Sequence, residues 1–213
     1  GQHTAVEEKL QAAEAALQNT KRDETTQDLN GRIATIRASL AIIQHDVATI
    51  LLQARQALAH LHPNNLLFRS AAAYTLGVTY HLKGDRTAAS QSFTEVLSLT
   101  ESFEGSIYRI AAAINLGQIQ AADNQLALAA KTFEHVLQVA GDPPQLIACE
   151  AFLSLAQVYY QWNDLDTALE YGQQCAQLTQ QIESIDTFAA YGVFLAHLKL
   201  AQENVPGAVA ALA

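Results

Sequence analysis

The sequence predicts an all-α fold, an α-solenoid of about five helix pairs, and three observations carry that prediction. A small residue recurs in mid-helix at Ala38, Gly77, Gly117, Ala156 and Ala196, spaced 39, 40, 39 and 40 apart. Half of the residues are hydrophobic, many of them Ala and Leu, against only 4 Pro and 10 Gly, which is a helical composition. No stretch alternates apolar and polar residues with period two for long, so no sheet is expected.

Each repeat reads as two helices around a polar turn. The turns fall at His45-Asp46, Gly84-Asp85, Asn124-Gln125, Asn163-Asp164 and Glu203-Asn204. Second helices carry Ala89, Ala129, Ala168 and Ala208, and four residues on come Phe93, Phe133, Gly172 and Leu212; the first repeat departs, with Ile50 and Ala54 at those places. A helix pair of this kind buries its apolar face only against its neighbours. The small residues are expected where two helix axes approach at the short end of the usual range of about 8–10 Å. Gly77 in mid-helix costs about 1 kcal/mol relative to alanine, so tight packing is its expected compensation.

In chain order, residues 4–19 place Val6, Leu10, Ala13 and Leu17 at helical spacing and read as the second helix of a pair. Residues 20–27 are charged and aperiodic and read as a loop, with Asp28 capping the next helix and Gly31 weakening its first turn. Five pairs follow: 28–44 with 46–61, 66–83 with 85–102, 106–123 with 125–140, 145–162 with 164–183, and 186–203 with 206–213. His62-Pro63-Asn64-Asn65 and Gly141-Asp142-Pro143-Pro144 are the strongest breakers. The chain contains no methionine, so residues 1–213 read as one superhelical domain excised from something longer.

Composition excludes several functions. A net charge of −9 with only 12 basic residues, all scattered, argues against direct nucleic-acid binding, which needs clustered Lys and Arg. No apolar run is long enough to span a bilayer and no secretory leader opens the chain, so a soluble, cytoplasmic protein is expected. Cys149 and Cys175 lie outside any C-x-x-C pairing and read as buried free thiols. There is no G-x-S-x-G, no H-E-x-x-H and no phosphate loop, so no enzyme, catalytic residue or cofactor is expected. His60-x-His62 offers two nitrogens where a metal needs three or four ligands, and reads as surface loop rather than metal site. Trp162 reads as packing between repeats in preference to ligand stacking.

With the repeats laid out, Leu76, Gly77 and Tyr80, the Gly84-Asp85 turn, then Ala89, Phe93 and Leu97 resemble the tetratricopeptide (TPR) pattern, whose usual period is about 34 residues. The longer period, with LFRSAAAYTLGVTYHLKGD at 67–85, INLGQIQAADNQLALAAKTFEHVL at 114–137 and VYYQWNDLDTALEY at 158–171, is similar to the superhelical TPR-like domain of large ATP-dependent LuxR-type activators of the maltose-regulon-activator kind. The resemblance covers most of residues 28–213 and implies that the solenoid winds as a right-handed superhelix. It implies a regulatory module that senses a ligand or holds a partner, while ATP and DNA binding belong to flanking modules. A generic TPR protein-interaction scaffold without a small ligand is the alternative.

By the same resemblance the first helix of each pair lines the concave surface, with residues three before and one, four and five after the small residue facing inward. These are Tyr74, Val78, His81 and Leu82; Ile114, Gln118, Ala121 and Ala122; Leu153, Gln157, Tyr160 and Gln161; and Val193, His197, Leu200 and Ala201. Among them Tyr74, His81, Gln118, Gln157, Tyr160, Gln161 and His197 are the candidate binding residues. The set has no Lys, Arg or carboxylate, which suits a small neutral inducer or the apolar face of a partner protein better than an anion. Self-association is left open.

Overall fold

The structure, a computed structural model, describes residues 2–18, 20–21, 23–102, 106–141, 146–179 and 185–212, and all regular structure among them is helical. The helices are α1 (Gln2–Gln18), α2 (Glu24–Ile43), α3 (Val47–His60), α4 (Leu66–Leu82), α5 (Arg86–Leu99), α6 (Ile107–Ala122), α7 (Leu126–Val139), α8 (Ala148–Gln161), α9 (Leu165–Thr179), α10 (Ile185–Ala201) and α11 (Val205–Ala210). Residues 1–112 and 113–213 form two compact units. Five pairs, α2–α3 to α10–α11, follow the repeat register, and the fold is an all-α, TPR-like solenoid. Of the breaker Gly141-Asp142-Pro143-Pro144, the last three residues lie outside the described residues.

One backbone device makes the turn within each of the five pairs. His45, Gly84, Asn124, Asn163 and Glu203 occupy the left-handed region, with φ of 54°, 79°, 60°, 61° and 57°. The next residue donates its N–H back to a carbonyl five positions earlier, as in Asp46 to Ala41, Asp85 to Tyr80, Gln125 to Gln120, Asp164 to Tyr159 and Asn204 to Lys199. This is the Schellman closure of a helix C-terminus. That same residue then caps the second helix: Asp46 accepts from the Thr49 N–H, Asp85 from Ala88, Asp164 from Thr167 and Asn204 from Gly207. Two residues thus end one helix and start the next. Gln125 alone among these caps makes no side-chain cap bond, because its longer side chain does not close the short ring. Gln125→Asp is therefore expected to stabilise the protein by about 1 kcal/mol, read as a rise in urea midpoint at unchanged slope; an unchanged midpoint would show that the α7 start is already satisfied.

The pairs close by matching large residues to small ones. A Cβ on Gly77 would stand 2.5 Å from the Phe93 ring, and one on Gly117 would stand 2.5 Å from Phe133, while both rings are fully buried. In α2–α3 both sides are small, Ala38 and Ala54, and Leu76 of α4 packs with them. In α8–α9 the small residues are Ala156 and Gly172, and Phe194 of α10 comes to within 2.9 Å of where a Gly172 Cβ would be. Cys149 and Cys175 are buried and free in this same core. Burial pushes the Cys149 thiol up to about 11 and raises Cys175 as well, so both stay protonated and unreactive near neutrality.

Two expectations for α2 are corrected. The helix begins at Glu24 rather than Asp28, with Asp23 as its cap accepting from the Thr26 N–H at 2.9 Å. Residues 24–27 are therefore helix rather than loop. Asp28 is buried inside the helix, where it accepts from the His62 N–H at 2.9 Å, the Asn65 side-chain amide at 2.9 Å and Arg32 at 2.7 Å. Gly31 likewise lies past the first turn. It is glycine because the α3–α4 loop seats on α2 there: a Cβ would meet the Leu61 backbone nitrogen at 2.8 Å. α1 is tied to α2 by Arg37, which bonds Glu14 at 2.9 Å and Glu7 at 3.1 Å above the buried Leu10.

A second tie between elements recurs with the repeat. Arg69 of α4 donates to the Leu58 and Leu61 carbonyls at the end of α3, and Arg109 of α6 donates to the Leu97 carbonyl at the end of α5. Each guanidinium satisfies carbonyls that a helix C-terminus leaves open.

Candidate ligand and partner surface

The five first helices carry the predicted surface. In residues 1–112, Tyr74 is half-buried between Phe93 and Tyr108, with ring centroids 5.9 and 5.8 Å away. His81 sits in the last turn of α4, half-buried, and its Nδ1 is buried without a hydrogen-bond partner. Leu82 beside it is exposed.

In residues 113–213, three predicted residues meet. Gln118 from α6 with Gln157 and Gln161 from α8 line a cavity of about 230 Å³, floored by Ala121, Ser154, Val158 and the edge of Phe133. Gln157 and Gln161 are exposed and Gln118 half-buried, so three amides, each with donors and an acceptor, face the opening. No charged side chain is among the described lining residues. Tyr160 is not brought into this lining: its ring packs edge-on against Phe194 at 6.4 Å, on the flank of the α8–α10 core. His197 is exposed on α10 and does not join the cavity.

In α6 and α8 the position three before the small residue does not line an open surface. Ile114 is fully buried and Leu153 is buried, whereas Val193 in the last pair is exposed. That position falls in mid-helix, where neighbouring helices cover it, while positions four and five after the small residue lie in the last turn beside the tapering helix end. Trp162 closes α8 edge-on to Tyr159, 5.3 Å away and 43% exposed, and Tyr159 stacks on Tyr171 of α9 at 5.4 Å. Its ring contact is thus within its own pair rather than between repeats. His62 is held in the loop, its Nδ1 accepting from the Asn64 N–H.

The sequence reading missed the Arg69 and Arg109 ties, although their spacing of 40 in the phrases LFRS and IYRI carries the signal. It also missed a larger cavity of about 580 Å³ bounded by the α3–α4 loop, the first turns of α4 and α6 and the end of α5. No described helix is long and apolar enough to cross a membrane.

Solved structures share this fold at low sequence identity. BtubC (BKLC) from P. vanneervenii matches with a TM-score of 0.73 and 16% identity over 98% of this chain and 88% of that one. MamA (41-end) from Desulfovibrio magneticus RS-1 gives 0.61 and 18% over 85% and 90%, and a Podosopora anserina putative kinesin light chain with nearly identical TPR-like repeats gives 0.60 and 16% over 90% and 94%. No curated protein matches the sequence. The family model for the MalT-like TPR region matches residues 31–213, and with the helix pairs, turns and glycine–phenylalanine closures in that register, the chain belongs to the MalT-like TPR region family.

Proposed function

We propose that this domain is the sensing module of an ATP-dependent LuxR-type transcriptional activator, and that the α6–α8 surface receives its small neutral inducer. The observation that carries this reading is the convergence of Gln118, Gln157 and Gln161 on one uncharged cavity in a chain of the MalT-like family. Neutral amides orient a polar, uncharged ligand by paired donor and acceptor bonds, and the absence of cations among the described lining residues disfavours an anion. The module acts by binding, without a cofactor or catalytic residue of its own. With a net charge of −9 it leaves DNA and ATP to other modules in a soluble, cytoplasmic protein.

A thermal-shift screen of neutral sugars and small metabolites tests this. A true inducer at about 100 times its Kd should stabilise the domain by about 2.7 kcal/mol. Gln157→Ala and Gln161→Ala, both at exposed positions, should weaken that ligand with little change in the unliganded melting temperature. An inducer that binds both variants as tightly as the parent would place the site elsewhere. The TPR-like fold itself favours a second reading, a scaffold whose neutral surface takes a partner's apolar helix face. A complete reading frame with no upstream phosphate loop and no downstream helix-turn-helix would favour that reading.

A further inference from the structure

We propose that the cavity at the loop edge of residues 1–112 is a second binding site, and that its ligand is a small, uncharged, mainly apolar molecule. At about 580 Å³ the cavity has the size of a site for one drug-sized molecule. Its walls come from four places in the chain: Asn64 in the α3–α4 loop, Leu66 and Leu67 at the start of α4, Thr100 at the end of α5 and Tyr108 at the start of α6. The loop wall is fixed, because Asp28 holds the His62 N–H and the Asn65 amide. That wall is thus preformed.

The lining selects the ligand class. No charged side chain is among its described residues, and the two nearest guanidinium-bearing residues in sequence, Arg69 and Arg109, are committed to helix-end carbonyls. Among the described lining residues an anion finds no counter-charge and a cation no carboxylate. The Ser70 hydroxyl already donates to the Leu66 carbonyl and the Thr100 hydroxyl to the Val96 carbonyl, each at 2.7 Å. Their oxygens are left only as acceptors, while the Asn64 amide and the Ser106 and Tyr108 hydroxyls bring groups that can donate as well as accept. Leu67 is 67% exposed at this opening, apolar surface that a bound molecule would take out of water. The site shares no residue with the α6–α8 surface and does not rest on the sensing role.

N-Phenyl-1-naphthylamine is a suitable probe: neutral, apolar, with one N–H and a fluorescence that rises on leaving water. We expect a saturable one-to-one titration. Leu67→Glu should weaken it about tenfold by placing a charge in the apolar wall, with an unchanged melting temperature because the position is exposed. Leu82→Glu, at the opposite end of α4 and 78% exposed, should leave binding intact, as should Gln157→Ala. The anilinonaphthalene sulfonate with the same ring skeleton should bind at least about tenfold more weakly, since its anion has no partner. Non-saturable uptake, a Leu67→Glu curve that superimposes on the parent, equal loss with Leu82→Glu, or sulfonate binding as tight as the amine would each overturn the proposal. Gln157→Ala reports on the α6–α8 surface alone, so failure here is distinguishable from failure there.

Discussion

Phe133→Ala is expected to cost about 3–5 kcal/mol of folding stability, the range for removing a fully buried aromatic ring. Phe133 is fully buried, with its ring edge 2.5 Å from where a Gly117 Cβ would stand. The two residues therefore form one unit of packing. Gly117→Leu alone should overpack the pair by about 1–3 kcal/mol, whereas Gln91→Leu on an exposed face should stay within about 0.5 kcal/mol. Combining Gly117→Leu with Phe133→Ala should recover stability relative to the sum of the single changes, because the new side chain enters the space the ring leaves. Urea denaturation of the four species gives the coupling directly. Strict additivity would show that glycine and ring are not complementary.

Asp28→Asn is expected to destabilise the protein by about 2–3 kcal/mol, since it turns acceptors for a backbone amide, a side-chain amide and a guanidinium into partly donating groups in a buried place. Burial would raise the Asp28 carboxyl, but the bonds from Asn65, the His62 amide and Arg32 outweigh it and hold it below the usual carboxylate range. A depressed carboxyl contributes stability at pH values above its unfolded pKa of about 3.9. That contribution is lost as pH falls through the folded value. The stability gap between parent and Asp28→Asn should thus be full at pH 7 and shrink on acidification below about pH 4. A gap independent of pH would mean that the carboxylate charge is not what holds the α3–α4 loop.

What the sequence disclosed follows from how local each determinant is. The two-residue turns were legible because Gly or Asn beside Asp or Asn marks both a left-handed residue and a cap, and because the pattern returns every 39 or 40 residues. His45 and Glu203 were legible only through that register. Asp28 was misread because its partners lie 34 and 37 residues away, beyond any local capping rule, and Asp23 carried the capping signal equally well. Of the candidate surface, Gln118, Gln157 and Gln161, which line one cavity, were named from the positions that the TPR resemblance turns inward, one and five after the small residue. Tyr160, named by the same rule, does not join them, since whether an aromatic faces a cavity or a neighbouring Phe194 depends on which side chain fills the groove between pairs, and that is settled by packing across repeats.

The distribution of large and small residues also bears on how such an array can lengthen or shorten. In α4–α5 and α6–α7 the glycine and the ring that needs it, Gly77 with Phe93 and Gly117 with Phe133, sit on the two helices of one pair. Such a unit carries its own complement and can be duplicated or exchanged whole. In α2–α3 and α8–α9 both positions are small, and the filling group, Leu76 or Phe194, arrives from the helix that follows. A recombination junction after α3 or α9 would separate a socket from its plug, whereas a junction after α5 or α7 would leave each intact. Exchange of whole units is therefore expected to cost little stability at seams after α5 or α7 and more at those after α3 or α9.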